Sequence, residues 1–299
     1  MTMVSFLLWL LLSLVFFSLL GMLSGWVDRK ITARIQWRVG PPWWQNFADL
    51  TKLTAKEVVV PVTAGPFFFL APVMGVAAVA VTGAVVLSAL SGTGGETDVI
   101  VIIYLLVIPS LALILAGSSS GNPLASVGIA RELKLVLGYE LPFILALLVP
   151  VVKTGTTRLS TIFHLLQGPA VLSFSTIVAL LVALFALLGK LGWVPFDVSE
   201  AETEIASGLL IEYSGWLLAL FKLMKWMLLA TGITFLVFYF LGGLAGPLTA
   251  VVKYIVLLVV MVLIKNTNPR LRIDQAMKFF WGWLTAFSLT AILLAFLGW

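Results

Sequence analysis

Cysteine is absent from the 299 residues, and histidine occurs once, at His164. Without thiolates the chain offers no ligands for an iron–sulfur cluster, a thiolate zinc site or a disulfide. One histidine cannot supply a bis-histidine haem, and the sequence contains no GxxxxGK(S/T) phosphate loop, which argues against ATP-driven transport. Charge is scarce as well: 10% of residues are charged against 61% hydrophobic, and the mean hydropathy is +1.14. A water-soluble chain of this length needs a polar exterior that these residues cannot provide. Short alternating segments of the kind that build a membrane barrel are missing too. What remains is an all-α polytopic membrane protein, read as a single integral membrane domain over 1–299.

The apolar runs predict about eight spans: Val4–Ser24, Gly65–Leu90, Val99–Ala116, Pro123–Val151, Val171–Lys190, Ala206–Leu241, Leu248–Ile264 and Gln275–Leu297. The sixth is longer than a bilayer requires, and no small-residue cleavage site follows the first, which is therefore kept as a span. The net charge of +5 collects at the flanks of these runs, so lipid head groups suit it and nucleic acid does not. Arg29, Lys30, Arg34, Arg38, Lys52 and Lys56 fall between spans one and two, and Lys265, Arg270, Arg272 and Lys278 between seven and eight or just beyond. That bias places both termini outside and the large basic loops in the cytoplasm of a cell (plasma) membrane protein. Residues 43–57 have the spacing of an amphipathic helix on the cytoplasmic face, and 157–167 resemble a weaker counterpart outside. No internal repeat is visible, which weighs against an ordinary secondary transporter.

Chemistry is expected from the few acids. Glu132 and Glu140 lie eight residues apart on the fourth span, within about a quarter turn of one helix face. Glu212 is expected near the cytoplasmic end of the sixth span, preceded by Asp197, Glu200, Glu202 and Glu204 in a short loop. Ionisable groups at membrane depth usually pair, protonate or face water, so such a file can carry protons. The alternative is structural: Glu132 paired with Arg131 or Lys134, Glu212 paired with a lysine, and the loop acids serving a helix dipole. The i, i+4 pair Arg34 and Arg38, with the GPP turn and the amphipathic helix, reads either as a positive-inside anchor or as a platform for a soluble partner. His164 reads as an ordinary interfacial residue; Lys222, Lys225 and Lys253 either snorkel or take part in charge transfer.

These motifs together resemble the quinone-chamber membrane subunit of respiratory complex I and its relatives in membrane-bound nickel–iron hydrogenases. The resemblance covers nearly the whole chain and rests on DRKITARIQWRVGP, FADLTKLTAKE, GYELP, PFDVSEAETEIASGLLIEYSG and PRLRIDQ. It implies a non-catalytic core subunit of an ion-translocating redox complex, with no cofactor of its own. Iron–sulfur clusters and a nickel–iron centre would sit in peripheral partners, alongside small membrane subunits and antiporter-like subunits. It implies a relay through Glu200, Glu202, Glu204, Glu212, Glu140 and Glu132, with Asp197 and Arg131 beside it. Docking of the redox module falls to Asp28, Arg29, Lys30, Arg34, Arg38, Asp49, Lys52, Lys56, Arg270, Arg272 and Asp274. Three departures stand out. GPPWWQNFAD lacks the insertion that borders the quinone site in complex I, and Glu132 follows Arg131 where complex I relatives carry a small residue. Both point to the hydrogenase and sulfur-reducing branch. Asp28 stands where glutamate is common. A quinone-binding subunit, a stand-alone cation/proton transporter and a purely structural anchor remain the competing readings.

Overall fold

The computed structural model describes residues 3–92, 97–165, 173–242 and 246–298. In chain order its helices are α1 (Met3–Ile35), α2 (Gln45–Thr54), α3 (Phe67–Leu90), α4 (Val99–Ser120), α5 (Pro123–Thr154), α6 (Leu159–Leu165), α7 (Phe174–Leu191), α8 (Glu202–Ile205), α9 (Gly215–Phe240), α10 (Pro247–Thr267), α11 (Ile273–Lys278) and α12 (Thr285–Phe296). Among the described residues, eight segments are long and apolar enough to cross a membrane: α1, α3, α4, α5, α7, α9, α10 and the composite Ile273–Phe296. The protein is a multi-pass, all-α membrane protein. Helix α9 is the most enclosed, whereas α1 and α10 expose most of their apolar surface, as lipid-facing helices at a bundle's rim must.

Lipid gives helices little hydrophobic reason to associate, so close packing through small residues carries more of the work. A Cβ on Gly21 would lie 2.3 Å from the Trp226 carbonyl oxygen, so α1 approaches α9 backbone to backbone. Ser13 fixes α1 against α3 by donating to the Ala80 carbonyl at 2.6 Å. Pro72, Pro109, Pro142 and Pro150 lie inside α3, α4 and α5, tolerated because neighbouring helices and side chains can satisfy the freed carbonyls. Between α11 and α12 the chain winds as a π-helix over Phe279–Leu284, and the Thr285 side-chain hydroxyl donates to the Phe280 carbonyl at 2.8 Å.

Four expectations are corrected. The first helix does not stop at Ser24 but continues to Ile35, because DRKITARI contains no breaker; it ends where Trp37 (φ 58°) and Gly40 (φ 76°) turn left-handed. Its 33 residues reach about 50 Å, well beyond a hydrocarbon core of about 30 Å. For the same reason Arg34 and Arg38 are not an i, i+4 pair on one helix; Arg38 lies past the end. The sixth span begins at Gly215, not Ala206, because Ala206, Ser207 and Gly208 are left-handed in succession (φ 49°, 73°, 46°). Glycine is obligatory at 208, where a Cβ would stand 2.4 Å from the Ser199 carbonyl oxygen. Finally, the two amphipathic segments are shorter than expected, α2 ending at Thr54 and α6 starting at Leu159. Residues 166 and 167 of that second segment, and 171–172 at the start of the expected fifth span, lie outside the described residues.

Candidate charge-relay site

Most of the charged side chains expected to act gather at one end of the bundle, where α1, α5, α7, α9 and α10 meet the 192–214 segment. Glu132, on α5, is 3% exposed, with the Ser199 hydroxyl as its hydrogen-bonding neighbour. It also lies within electrostatic reach of Glu200, Lys225 and Lys190. Two turns further along α5, Glu140 accepts from the Lys190 ammonium at 2.5 Å. The Lys190 side chain is fully enclosed, and its Nζ lies 4.9 Å from the Tyr139 ring centre and 4.8 Å from that of Phe143. Glu140 Oε1 is buried without a hydrogen-bond partner among the described residues. On the other side of Glu132, Glu200 is ion-paired with Lys225 of α9.

The outer rim is built the same way. Asp197 pairs with Arg270 at 2.7 Å and feels Glu200 and Lys225 as well. Burial pushes the Asp197 carboxyl above its ordinary range and outweighs the pull of Arg270. Arg131 donates to Glu204 at 2.6 Å and to the Val198 carbonyl at 3.2 Å. Asp197, Glu204, Arg131 and Arg270 line one cavity of about 350 Å3. The resulting file runs from Asp197–Arg270 through Glu200–Lys225 and Glu132 to Lys190–Glu140. Glu132 is the one expected relay acid in it that forms no ion pair among the described residues.

Sequence reasoning placed several of these groups differently. Glu132 pairs with neither Arg131 nor Lys134; Arg131 reaches across to Glu204, and Lys134 is exposed. Glu212 lies outside the sixth span, and no ion pair joins it to the file among the described residues. It lies before α9 and accepts from Asn122 Nδ2 at 2.6 Å, ten residues and about 15 Å of helix axis short of Glu132. With its neighbours in EYSG, it knots several segments together. Tyr213 donates to the Phe68 and Ala116 carbonyls at 3.2 and 3.3 Å and stacks on Phe68, and Ser214 Oγ accepts from Val59 N–H at 2.9 Å. Gly215 (φ 58°) lets the chain pass the Lys56 carbonyl. Burial pushes the Tyr213 phenol up to about 12, so it stays neutral. The Glu202 backbone opens α8, and its side chain lies outside the described residues.

Lys190 escaped sequence reasoning as a functional residue. Its signal was a lysine closing an apolar run on the same side as the acids, which hydropathy alone reads as a span end.

Of the expected docking residues, several are committed within the chain. Asp28 is 8% exposed and receives Lys265 at 2.7 and 3.0 Å, while Lys265 lies 4.3 Å from the Trp193 ring centre. Arg29 pairs with Asp49 at 2.8 Å and so ties α1 to α2. Burial would raise Asp49, but Arg29 and Gln45 donate to it and carry it below its ordinary value. Asn46, fully buried, donates to the Met22 carbonyl at 2.6 Å, and Trp26 to the Pro41 carbonyl at 3.1 Å, so the GPP turn and α2 are pinned rather than loose. Arg34, Arg38, Lys52 and Lys56 are exposed on this platform, with Lys30 half-buried; Arg272 and Asp274 are exposed at the rim cavity that Arg131, Asp197, Glu204 and Arg270 line. Trp37, Trp43 and Trp44 are exposed beside them.

Three comparisons place the chain. The NADH dehydrogenase family model matches residues 8–296. Hydrogenase-4 component C of Escherichia coli is 38% identical over 201 residues, 66% of this chain and 63% of that protein. An NADH-quinone oxidoreductase subunit of Dehalococcoides mccartyi is 32% identical over 284 residues, 90% of this chain and 80% of that protein. A chain in the structure of the membrane-bound sulfane sulfur reductase, an archaeal respiratory membrane complex, superposes with a TM-score of 0.89 at 28% identity, covering 97% of this chain and 99% of that one. The chain therefore belongs to the NADH dehydrogenase family, as a multi-pass membrane component of the complex I-like kind.

Proposed function

We propose that this chain couples a peripheral redox module to ion movement in a complex I-like assembly of the hydrogenase or sulfane-sulfur-reducing type. The electron carriers, iron–sulfur clusters and in a hydrogenase a nickel–iron centre, belong to partner subunits, since this chain has no cysteine to ligate them. The platform formed by the end of α1, the GPP turn and α2 receives that module through Arg34, Arg38, Lys52 and Lys56, with Arg272 at the rim cavity as a further contact. Its side of the membrane is the cytoplasm, by the clustering of basic residues there. Small membrane subunits and antiporter-like subunits take the ion-moving step further into the bilayer.

The observation that carries the relay is Glu132: a buried carboxyl between two ion pairs, Glu200–Lys225 at the rim and Lys190–Glu140 within. A charge change at the docking face alters Glu200 or Asp197 first, and the file passes it to Glu132 and Glu140. The test is Glu140→Gln in the whole complex. Assembly and electron transfer should persist while ion uptake is lost; normal uptake would end the relay reading.

One observation favours a second reading. Leu210, Ile211, Tyr213, Leu218 and Phe221, with Glu200 and Lys225 among the polar groups, line a cavity of about 490 Å3, an amphipathic shape that suits a quinone. Turnover of the purified complex without added or bound quinone would remove it.

A further inference from the structure

Lys190 is more than a neutralising charge. Two buried or nearly buried carboxyls on α5, Glu132 and Glu140, lie within electrostatic reach of one enclosed ammonium. Lys225, the other cation near Glu132, is already bonded to Glu200. With two acids and one cation available away from water, the favoured charge count is one carboxylate and one carboxylic acid. Glu140 holds the ammonium through Oε2 and leaves Oε1 buried without a hydrogen-bond partner among the described residues, an oxygen open to a proton. The faces of Tyr139 and Phe143 flank Nζ at 4.9 and 4.8 Å, and Tyr139 is held by a 2.8 Å hydroxyl contact with Ser110. Aromatic faces stabilise an ammonium without fixing it to one direction, and lysine's stem is flexible, so the cation can change partners without leaving an attractive environment.

We propose that Lys190 is the moving counter-charge of the relay, exchanging Glu140 for Glu132 as a proton passes the other way. The inference rests on the relay reading and specifies its inner step. Glu132 starts as the acid and Glu140 as the carboxylate bonded to Lys190. The proton leaves Glu132 and is received on Glu140 Oε1 through intervening water, since eight residues of helix, about 12 Å of rise, separate the two positions. Glu132 is now the carboxylate and Glu140 the acid, and the ammonium, keeping all three protons, swings to Glu132. No proton is gained or lost in the exchange. The return swing, after Glu140 releases its proton inward and Glu132 is recharged from Glu200, resets the pair. Lys190 is thus a positioning residue, and the distance its cation travels keeps charge separation small at each stage. Among the described residues, the other charged groups that bear on this region are Glu200 and Lys225, both acting on Glu132.

The conservative variant separates this role from plain neutralisation. Arginine keeps the charge, but its planar fork engages both oxygens of a carboxylate and so would occupy Oε1. In the assembled complex in membrane vesicles, Lys190→Arg should retain electron transfer and lose most ion uptake per electron; wild-type uptake would overturn the exchange. A second measurement needs no variant. Redox-difference infrared spectra of the unsubstituted complex, with isotope-labelled lysine, should show a lysine ammonium band changing together with a carboxylic acid band. A silent ammonium band would overturn the exchange. Glu140→Gln tells the two failures apart: uptake surviving that substitution removes the relay itself, whereas its loss beside full uptake by Lys190→Arg removes only the moving lysine.

Discussion

Replacing Arg270 by glutamine removes the cation that faces Asp197 at the rim of the file. The two groups meet at 2.7 Å, with the carboxylate side chain 15% exposed and the guanidinium 46% exposed. Exposed pairs contribute up to about 1 kcal/mol, and breaking a fully buried one costs about 3–5 kcal/mol, so this intermediate geometry with screening taken into account implies about 1–2 kcal/mol. Burial already holds Asp197 above its unfolded value, and losing Arg270 removes a major opposing influence, so the carboxyl rises further. The sign follows by linkage. A carboxyl raised on folding makes the ionised state the costly one, so the penalty of the variant is full at neutral pH. It disappears as pH falls through the raised folded value and Asp197 takes up a proton. Thermal unfolding of the complex should therefore separate Arg270→Gln from wild type at neutral pH and converge with it in acid. The acid limb of coupled ion uptake should move to higher pH. Thr203→Val controls for the second Arg270 contact, at 3.2 Å. A loss of stability equal at both pH values, with an unmoved acid limb, would refute the reasoning.

Three further outcomes follow from packing and polar satisfaction. Gly21→Val should cost about 1–3 kcal/mol, read as reduced thermal stability and yield, because the side chain meets the Trp226 backbone; Gly282→Ala, which meets nothing within 4 Å, should be close to neutral. Asn46→Ala should loosen α2 by about 1 kcal/mol through loss of its bond to the Met22 carbonyl, detected as faster proteolysis around 36–44 and weaker retention of soluble partners. Tyr213→Phe should lower stability by about 1 kcal/mol while leaving the alkaline limb of the activity profile in place, since a phenol pushed up to about 12 does not titrate there.

The spans were legible because lipid imposes a length and an apolar composition that no tertiary contact can override. α5 opens with Pro123 and α3 closes at Leu90, both as read from the sequence. The 206–214 segment was not legible. Its apolar residues continue the hydropathy of α9, and only three successive left-handed residues, set by tertiary contacts such as Gly208 against Ser199, break the helix. That single misplacement put Glu212 inside the sixth span, near its cytoplasmic end, rather than before α9. The acids on α5 were legible because charge inside an apolar run is rare enough to stand out. Their partners were not: Lys225 reaches Glu200 over 25 residues, Lys190 reaches Glu140 over 50, and Arg131 reaches Glu204 over 73. Such pairings depend on helix rotation and loop path, which one-dimensional periodicity does not encode. Lys265 illustrates the same limit, assigned by composition to a basic loop yet bonded to Asp28 on the first helix.

Glu132 gives the most direct test of the coupling account, because it lies between the outer and inner ion pairs without an ion-pair partner among the described residues. The measurement is the number of ions taken up per electron transferred by the assembled complex carrying Glu132→Gln. The account predicts a complex that assembles and transfers electrons but moves almost no ions. An ion-to-electron ratio equal to that of the unsubstituted complex would contradict it.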